Sequence, residues 1–505
     1  MVYKLSPVHK YFNYREQDKK FSSRVYVGCQ FIDSYKPDIT KLQEIVKEII
    51  IKDNNKQLLA QIEPENDNVY LINTESLDFS KFVYVLDDSD FTGIDDDKFV
   101  TKMVEERFKI GLEDIPLWRL VYLPKLNYLV FNYGHVFFDG MTGVIFIQKI
   151  LDKLEFGDKE DNSDVIIKDY HKAFDNICID KSLLDLNIID AYPRATLNFK
   201  IVYSLLVYSV IPDLIENFVS KIIVKYSSLL KFQFFQYFNR FQSSQKAIPG
   251  QHFINHKLIN LSPEITSKLI KLGKENNITL NSLIVTLFVL TSPKSLENDF
   301  FTNKVDIPVN LRARLPGFDK HKDIIGLLVA PSSILTPLIT PISRIEKQQE
   351  EEYGKENKFK LLDYVLDYAD TINKDIKTEI NSPIPLKRMS VINLFAPSDN
   401  NNNKDYSEQK KKFDQLLPSN PILKKDFEVS NLGLFNSKYS LIQDAIFNQS
   451  LNVRSSHMTV SVIGTVGGGT NLSLMYGEDD LEEVKITKWY ERFENIVQEV
   501  IKEMN

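Results

Sequence analysis

Apolar and polar residues alternate along this chain in runs that are typical of a mixed α/β protein. The segment 24–31 (RVYVGCQF) has the pattern of a β-strand, and 40–51 (TKLQEIVKEIII) has apolar residues at helical spacing. The same order returns at 252–259 (HFINHKLI), where Ser262 and Pro263 are the N-cap and first position of the following helix. Two strand-then-helix openings about 230 residues apart predict two similar α/β domains.

One junction between a strand and a helix carries residues suited to catalysis. Two strand-like runs, 118–124 (WRLVYLP) and 128–134 (YLVFNYG), are followed by His135-Val-Phe-Phe-Asp139-Gly140 and then by a helix-like run. Side chains at such a junction point out of the sheet into a cleft. A histidine with an ordinary pKa near 6.5 is neutral often enough to accept a proton there. His135 is therefore a candidate general base, and Gly140 gives the turn room.

Two interpretations of Asp139 remain open. It has the position of a helix N-cap, whose carboxylate accepts the first free backbone N–H groups. Alternatively it faces away from the cleft, pairs with an arginine and fixes the loop that holds His135. Arg312 and Arg314 are the candidate partners, with Arg312 preferred, because an unpaired guanidinium in the apolar stretch 306–316 would be costly. Both arginines could instead lie at a strand end in water.

The length and charge of the chain limit its organisation and its function. A chain of 505 residues predicts about two domains, which we place at 1–195 and 251–505, joined by a helical crossover linker at 196–250. A net charge of -7 argues against a nucleic-acid partner. Within the linker, 214–226 has the pattern of an amphipathic helix that either packs on its own domain or rests on a membrane or lipid droplet. The apolar run 201–211 is too short to span a bilayer.

The remaining chemistry-bearing residues have structural interpretations as well. Cys29 lies inside a strand pattern, as an inert core thiol would, and His457 is either a hydrogen-bonded wall residue or a residue of a ligand channel. The glycines 467–469 fit a hairpin between two strands or a phosphate cradle. Two cysteines and no apolar signal segment predict an intracellular protein, either cytoplasmic or peripherally bound to endoplasmic reticulum or lipid droplets.

The ordered set of motifs resembles the fungal alcohol O-acetyltransferase family. The resemblance rests on the N-terminal YFNYREQ, on LWRLVYLP, on the motif from His135 to Gly140, on PVNLRARLPG, on FEVSNLGLF at 427–435 and on DAIFNQS. Condensation domains and wax-ester synthases usually have a second histidine where this chain has Gly134. The plant acyltransferases have Asp-Phe-Gly-Trp-Gly where this chain has Asp444-Ala-Ile-Phe447. These two differences favour the fungal branch.

The resemblance implies a fold and an activity. It implies an α/β protein of two chloramphenicol-acetyltransferase-like domains, each a mixed sheet with flanking helices, and an active-site tunnel at their interface. His135 would be the base that transfers an acetyl group from acetyl-CoA to the hydroxyl of a hydrophobic alcohol, and Asp139 would be the structural partner of Arg312. A monomer is expected, and since a thioester is already activated, no metal and no covalent enzyme intermediate are required.

Ser430 and Asn431 are the candidate donors for the oxyanion of the tetrahedral intermediate. Their alternative role is to hold the backbone where a strand meets a turn. The acceptor also remains open. The first alternative is N- or O-acetylation of sphingoid-like amino alcohols or of sterols, as in detoxification. The second is an inactive member of the family that binds lipid surfaces.

Overall fold

The computed structural model describes residues 3–157, 254–385 and 425–504, apart from gaps of which the longest are 17–22, 293–302, 315–322 and 346–359. The predicted linker 196–250, with its amphipathic helix, lies outside the described residues, and so does the polar segment 398–412. In the described part, no helix is both long enough and apolar enough to cross a membrane.

A mixed five-stranded sheet carries the strand that precedes His135. In sheet order its strands are β14 (Ile442–Gln449), β2 (Arg24–Phe31), β7 (Tyr128–Gly134), β6 (Trp118–Leu123) and β5 (Val83–Val85). Every residue of β7 is buried, as its largely apolar sequence predicts. The turn between β6 and β7 is closed by Asn127, whose positive φ of 56° is a conformation that asparagine tolerates well. Its side-chain amide donates to the carbonyls of Phe31, Ile32 and Tyr35, so the hairpin is tied to the end of β2.

Three helices cover the two faces of this sheet. Helices α2 (Ile39–Ile51) and α4 (Gly140–Phe156) pack on one face, and α3 (Asp97–Glu105) packs on the other. Helix α4 lies close to β2 because Gly143 faces the sheet: a Cβ there would come within 2.5 Å of Val27 Cγ2. The start of α4, which carries the candidate site, is therefore fixed against the sheet.

A second, mixed sheet has six strands from the C-terminal half. In sheet order they are β12 (Ser333–Leu335), β9 (Lys304–Asp306), β13 (Lys425–Phe435), β15 (Ser456–Thr465), β16 (Gly469–Gly477) and β8 (Ile254–Leu261). One face of the sheet packs on α5 (Pro263–Glu275), α6 (Leu280–Thr291), α7 (Leu361–Asn381) and α8 (Glu483–Glu503). As predicted, Ser262 caps α5, and Thr279 caps α6 in the same way.

The crossing strand β14 joins the two halves. It belongs to the C-terminal half by sequence, yet it pairs antiparallel with β2 at the edge of the first sheet. The prediction that assigned 251–505 wholly to a second domain did not foresee this exchange. The other face of the second sheet lies against β14, where Gln449 Nε2 donates to Glu428 Oε1 at 3.0 Å.

A small unit next to the first sheet carries Arg312. It consists of the hairpin β10 (Val309–Asn310) and β11 (Val329–Ala330) with a 3-10 helix, Arg312–Arg314, so the arginine follows a strand rather than lying in it. The N-terminal helix α1 (Pro7–Glu16) packs on this unit through one apolar cluster, formed by Val8, Phe12, Leu311, Leu327, Leu328 and Ala330. A three-stranded sheet of β1 (Tyr3–Lys4), β4 (Asn68–Leu71) and β3 (Ala60–Ile62) completes the described strands.

Candidate active site

His135 directly follows β7, and its backbone N–H donates to the Ser23 carbonyl at 2.8 Å. Its side chain is half-buried, and Phe12 of α1 stacks on the imidazole with a ring-centroid distance of 4.3 Å. Nδ1 is buried and has no hydrogen-bond partner of normal geometry among the described residues. Because Nδ1 is buried, a substrate could reach the ring only at Nε2, on its opposite edge.

The surroundings of His135 favour its neutral form. Removal from water lowers its pKa from 6.5 to about 4, and the positive charge of Arg15 acts in the same direction. Asp139 and the nearby carbonyls of His135 and Phe138 oppose this shift but do not cancel it. The imidazole is therefore unprotonated at neutral pH, which is the form that a general base requires.

Asp139 is both a helix cap and an ion-pair partner. Its Oδ1 accepts from the Thr142 N–H at 2.8 Å, so it caps α4, and its Oδ2 accepts from the Leu328 N–H at 2.8 Å. Arg312 binds the same carboxylate in a fork, Nη1 to Oδ2 at 2.8 Å and Nη2 to Oδ1 at 3.0 Å. The two interpretations offered by the sequence therefore describe one arrangement.

Burial alone would raise the pKa of Asp139. The Arg312 charge and the hydrogen bonds from Arg312, Leu328 and Thr142 outweigh burial and hold that pKa below its usual value. Both residues are almost fully buried, at 2% exposure for Asp139 and 1% for Arg312. A buried ion pair is favourable only where the remaining donors and acceptors are satisfied.

The remaining donors of Arg312 are satisfied. Nε donates to the Ile324 carbonyl at 3.0 Å, and Nη2 donates to the Gly326 carbonyl at 3.1 Å. Thr142 Oγ1 donates to the same Gly326 carbonyl, and the Gly326 N–H donates back to that hydroxyl. The pair thus fixes the His135 loop to the hairpin from the other half of the chain.

Gly140 has a different function from the one predicted. It is the first residue of α4, and its φ is not positive, so the turn does not require a glycine backbone. A Cβ there would come within 2.8 Å of Leu432 Cδ2 and 3.3 Å of Phe447. The glycine lets α4 approach β13 and β14.

A cavity of about 650 Å³ lies between the start of α4 and the second sheet. It is lined mostly by apolar side chains, and its polar residues include Thr266, Asn281, Asn310, Ser430 and Asn431. Asp139 and Gly140 also line it, whereas His135 does not. The structure therefore gathers four of the predicted site residues, Asp139, Gly140, Ser430 and Asn431, at one cavity, whereas His135 lies under α1 and, like Arg312, is not part of the lining.

Ser430 and Asn431 lie where the pairing of β13 and β15 is interrupted by a bulge between Asn431 and Leu434. Asn431 Nδ2 donates to Asn281 Oδ1 at 3.0 Å, and Asn431 Oδ1 accepts from the Gly433 backbone N–H at 2.7 Å. These contacts fit the structural alternative for Asn431. Ser430 is directly opposite Ser461 on β15.

A buried polar face on the second sheet was not predicted. His457, Thr459 and Ser461 on β15 share the face turned towards β14, with Ser473 on β16. The Ser461 hydroxyl has no partner among the described residues. The alternation of polar and apolar residues in 456–462 carries this information, because alternate side chains of a strand face opposite sides.

Three other predicted residues lie outside the cavity lining. Cys29 is fully buried in β2, and burial raises the pKa of its thiol, as expected of an inert core cysteine. Gly467 and Gly469 have positive φ in the turn between β15 and β16, which favours the hairpin interpretation. Among the described residues, no group of three or more His, Cys, Asp or Glu side chains is placed to hold a metal ion.

Solved structures with this architecture include an acetyltransferase and a condensation domain. A trichothecene 15-O-acetyltransferase from Fusarium sporotrichioides matches with a TM-score of 0.61 and 12% identity, over 99% of this chain and 95% of that one. Polyketide synthase associated protein 5 from Mycobacterium tuberculosis matches at 0.54 and 12%, over 100% and 99%. The first condensation domain of the calcium-dependent antibiotic synthetase matches at 0.55 and 10%, over 99% and 96%. These likenesses confirm the predicted fold.

No curated protein sequence is significantly similar to this chain. The model of the alcohol acetyltransferase family, in contrast, matches residues 6–501, which is nearly the whole chain. The matched region includes His135, Asp139 and Arg312. The chain therefore belongs to the alcohol acetyltransferase family and is an acyltransferase.

Proposed function

We propose that this protein transfers the acetyl group of acetyl-CoA to the hydroxyl of a hydrophobic alcohol, with His135 as the general base. The observation that carries the proposal is the position of His135, directly after β7 on a loop held by the Asp139–Arg312 pair, where burial lowers the pKa of the imidazole to about 4. Membership of the alcohol acetyltransferase family supports the acetyl group and the hydroxyl acceptor.

The reaction needs a base because an alcohol is too weak an acid to ionise at neutral pH. Nε2 of His135 takes the hydroxyl proton as the alcohol oxygen attacks the thioester carbonyl carbon. When the tetrahedral intermediate collapses, the bond to sulfur breaks, and the imidazolium gives the same proton to the leaving thiolate. The products are an acetate ester and free CoA, and the histidine returns to its neutral form.

Asp139 and Arg312 hold the loop and do not touch the reacting atoms. Asp139 is bound by four donors from three different segments, so its carboxylate has one available geometry. This rigidity keeps the imidazole edge in a constant position, and positioning accounts for a large part of many enzymatic rate enhancements.

Ser430 is the better of the two candidate oxyanion donors. The Asn431 amide is engaged with Asn281, whereas the Ser430 side chain lines the cavity and has no hydrogen bond to a described residue that would have to be broken. An acyl chain or acceptor lying in the cavity would pass this hydroxyl.

The apolar cavity supports a hydrophobic acceptor over an anionic one, since no lysine or arginine among the described residues lines it. Within that class the acceptor is a short alcohol, a sterol or a sphingoid-like amino alcohol. The alternative of an inactive lipid-surface module is disfavoured, because such a protein has no need of a base held neutral by its surroundings.

The test is release of free thiol from acetyl-CoA by the purified protein, with isoamyl alcohol, a sterol and a sphingoid base assayed in parallel. We expect turnover with at least one acceptor, and a loss of about 10²- to 10⁴-fold in His135→Ala, the usual contribution of a general base. Turnover with none of them would favour the inactive alternative. Full turnover by His135→Ala would exclude this histidine as the base.

A further inference from the structure

The N-terminal helix α1 covers one face of the imidazole of His135. The Phe12 ring is nearly parallel to it, with an interplanar angle of 27°. The Arg15 guanidinium lies over the Phe12 ring, 5.0 Å from its centroid. Phe12 therefore contacts a cation and the candidate base at once.

Phe12 also joins the apolar cluster that α1 forms with the Arg312 hairpin. In that cluster lies Leu328, whose backbone N–H binds Asp139. The imidazole is consequently fixed from two directions, through Asp139 along its own loop and through Phe12 from above.

We infer that Phe12 and Arg15 are positioning residues for His135: Phe12 sets the plane of the imidazole, and Arg15 opposes the arrival of a second positive charge on it. The inference rests on the proposed role of His135 as base. It extends the active site to a helix that lies about 120 residues before the loop in the sequence.

The elements that surround His135 carry other titratable groups: His9 and Glu16 on α1, Arg24 on β2, Asp139 on its own loop and Arg312 on the adjoining unit. Arg24 is neutralised by Glu16, Nη2 to Oε1 at 2.8 Å, and Arg312 by Asp139. His9 lies against Phe137, at a ring-centroid distance of 5.7 Å, and burial lowers its pKa to about 4, so it adds no charge at neutral pH.

The expected effect of Arg15 on the pKa of His135 follows from two distances, from the guanidinium to the Phe12 ring and from that ring to the imidazole. They place the guanidinium carbon at most about 9 Å from the imidazole centroid, where an effective dielectric constant of ~20 corresponds to a shift of about one pKa unit. Removing the charge should therefore raise the pKa of His135 by about one unit and leave the fold intact.

The chain offers matched controls for both residues. Arg119 lies over the Phe108 ring at 4.8 Å, so Arg119→Gln removes a comparable cation from an aromatic ring that, among the described residues, does not stack on His135. Phe91 is 7% exposed, as Phe12 is, and belongs to a separate apolar cluster, so Phe91→Leu removes a similar buried ring elsewhere.

The experiment follows the His135 imidazole by NMR in the full chain with labelled histidine, with His135→Ala identifying its signal, alongside the pH dependence of turnover. We expect Arg15→Gln to raise the pKa of His135 by about one unit and Arg119→Gln to leave it unchanged. Phe12→Leu should lower kcat at least tenfold with little change in KM for acetyl-CoA, whereas Phe91→Leu should keep kcat.

Equal shifts in the two arginine variants, or none in either, would overturn the role of Arg15. An unchanged kcat in folded Phe12→Leu would overturn that of Phe12. The NMR titration does not depend on turnover, so its result separates this inference from the proposed function. A protein inactive on every acceptor whose His135 still responds to Arg15→Gln would refute the function alone.

Discussion

Replacing Asp139 by asparagine tests the link between the two halves of the chain. The substitution keeps the shape of the side chain but removes the charge that faces the buried Arg312 fork, and it places an amide among donors. Removing one partner of a buried ion pair generally costs about 3–5 kcal/mol, because the other charge stays buried without compensation. Both residues are nearly inaccessible to water, so we expect Asp139→Asn to lose an amount in this range.

Urea unfolding followed by tryptophan fluorescence measures this loss. Trp118 lies in the first sheet and Trp489 in α8, and both are fully buried, so each half of the molecule has its own reporter. A Trp118→Phe background separates the two signals. Asp444→Asn is the control, because it removes a partly buried carboxylate that is bound by Asn471 and Tyr128 and has no arginine partner in the described part of the chain.

The pH dependence gives a second readout with a defined sign. In the folded protein the pKa of Asp139 is lowered, so its stabilising contribution is present above the ordinary aspartate pKa of about 3.9 and is lost as the pH falls through the folded value. The difference between wild type and Asp139→Asn should shrink on acidification below about pH 4. A difference under about 0.5 kcal/mol at pH 7, or one that does not change with acid, would refute the reasoning.

Three further predictions address the base, the oxyanion site and the packing of α4. Because the pKa of His135 is about 4, kcat/KM should be constant between about pH 5 and 7 and fall only below that range; an acid midpoint near 6.5 in a pH–rate profile would contradict the burial argument. If the Ser430 hydroxyl supports the oxyanion, Ser430→Ala should lower kcat by about 10²-fold. Asn431→Ala should mainly reduce the stability of the fold, because it removes the hydrogen bonds to Asn281 and Gly433. Steady-state kinetics together with urea unfolding distinguishes the two effects. Gly143→Ala should destabilise the fold by about 1–3 kcal/mol, since its Cβ would lie 2.5 Å from Val27 Cγ2 on a packed strand; wild-type stability in the same urea assay would show that α4 can move away from β2.

The local part of the site follows from the sequence. The apolar run of β7, the change of periodicity at α4 and the position of Asp139 are all encoded within about thirty residues, and side-chain period alone distinguishes the strand from the helix. From the sequence, the preference for Arg312 over Arg314 rests only on the general rule that an arginine in an apolar segment needs an ion-pair partner. The structure adds the reason: Arg312 is 1% exposed and reaches Asp139 from the 3-10 helix.

The contacts between distant segments could not be predicted in this way. Nothing in YFNYREQ indicates that Phe12 meets His135, since stacking needs only two rings and any aromatic residue of the chain could supply one. The cavity could not be predicted for the same reason, because its lining residues are spread along the sequence from Asp139 to Thr470. Gly140 was assigned to the turn, where glycine is common, whereas its actual constraint is a leucine side chain almost three hundred residues away.

Because β14 comes from the C-terminal half of the chain but pairs with β2, the first sheet can be completed only late in translation. Asn448 on β14 donates to Tyr26 on β2 across a sequence separation of 422 residues, so β2 is an open edge until the ribosome has made the end of β14. At a translation rate of about 5–20 residues per second, the edge of β2 stays unpaired for roughly 20–85 s. During that time it can pair with other chains. A chaperone that covers β2 during translation would thus matter more for the yield of this enzyme than one that acts on the finished chain.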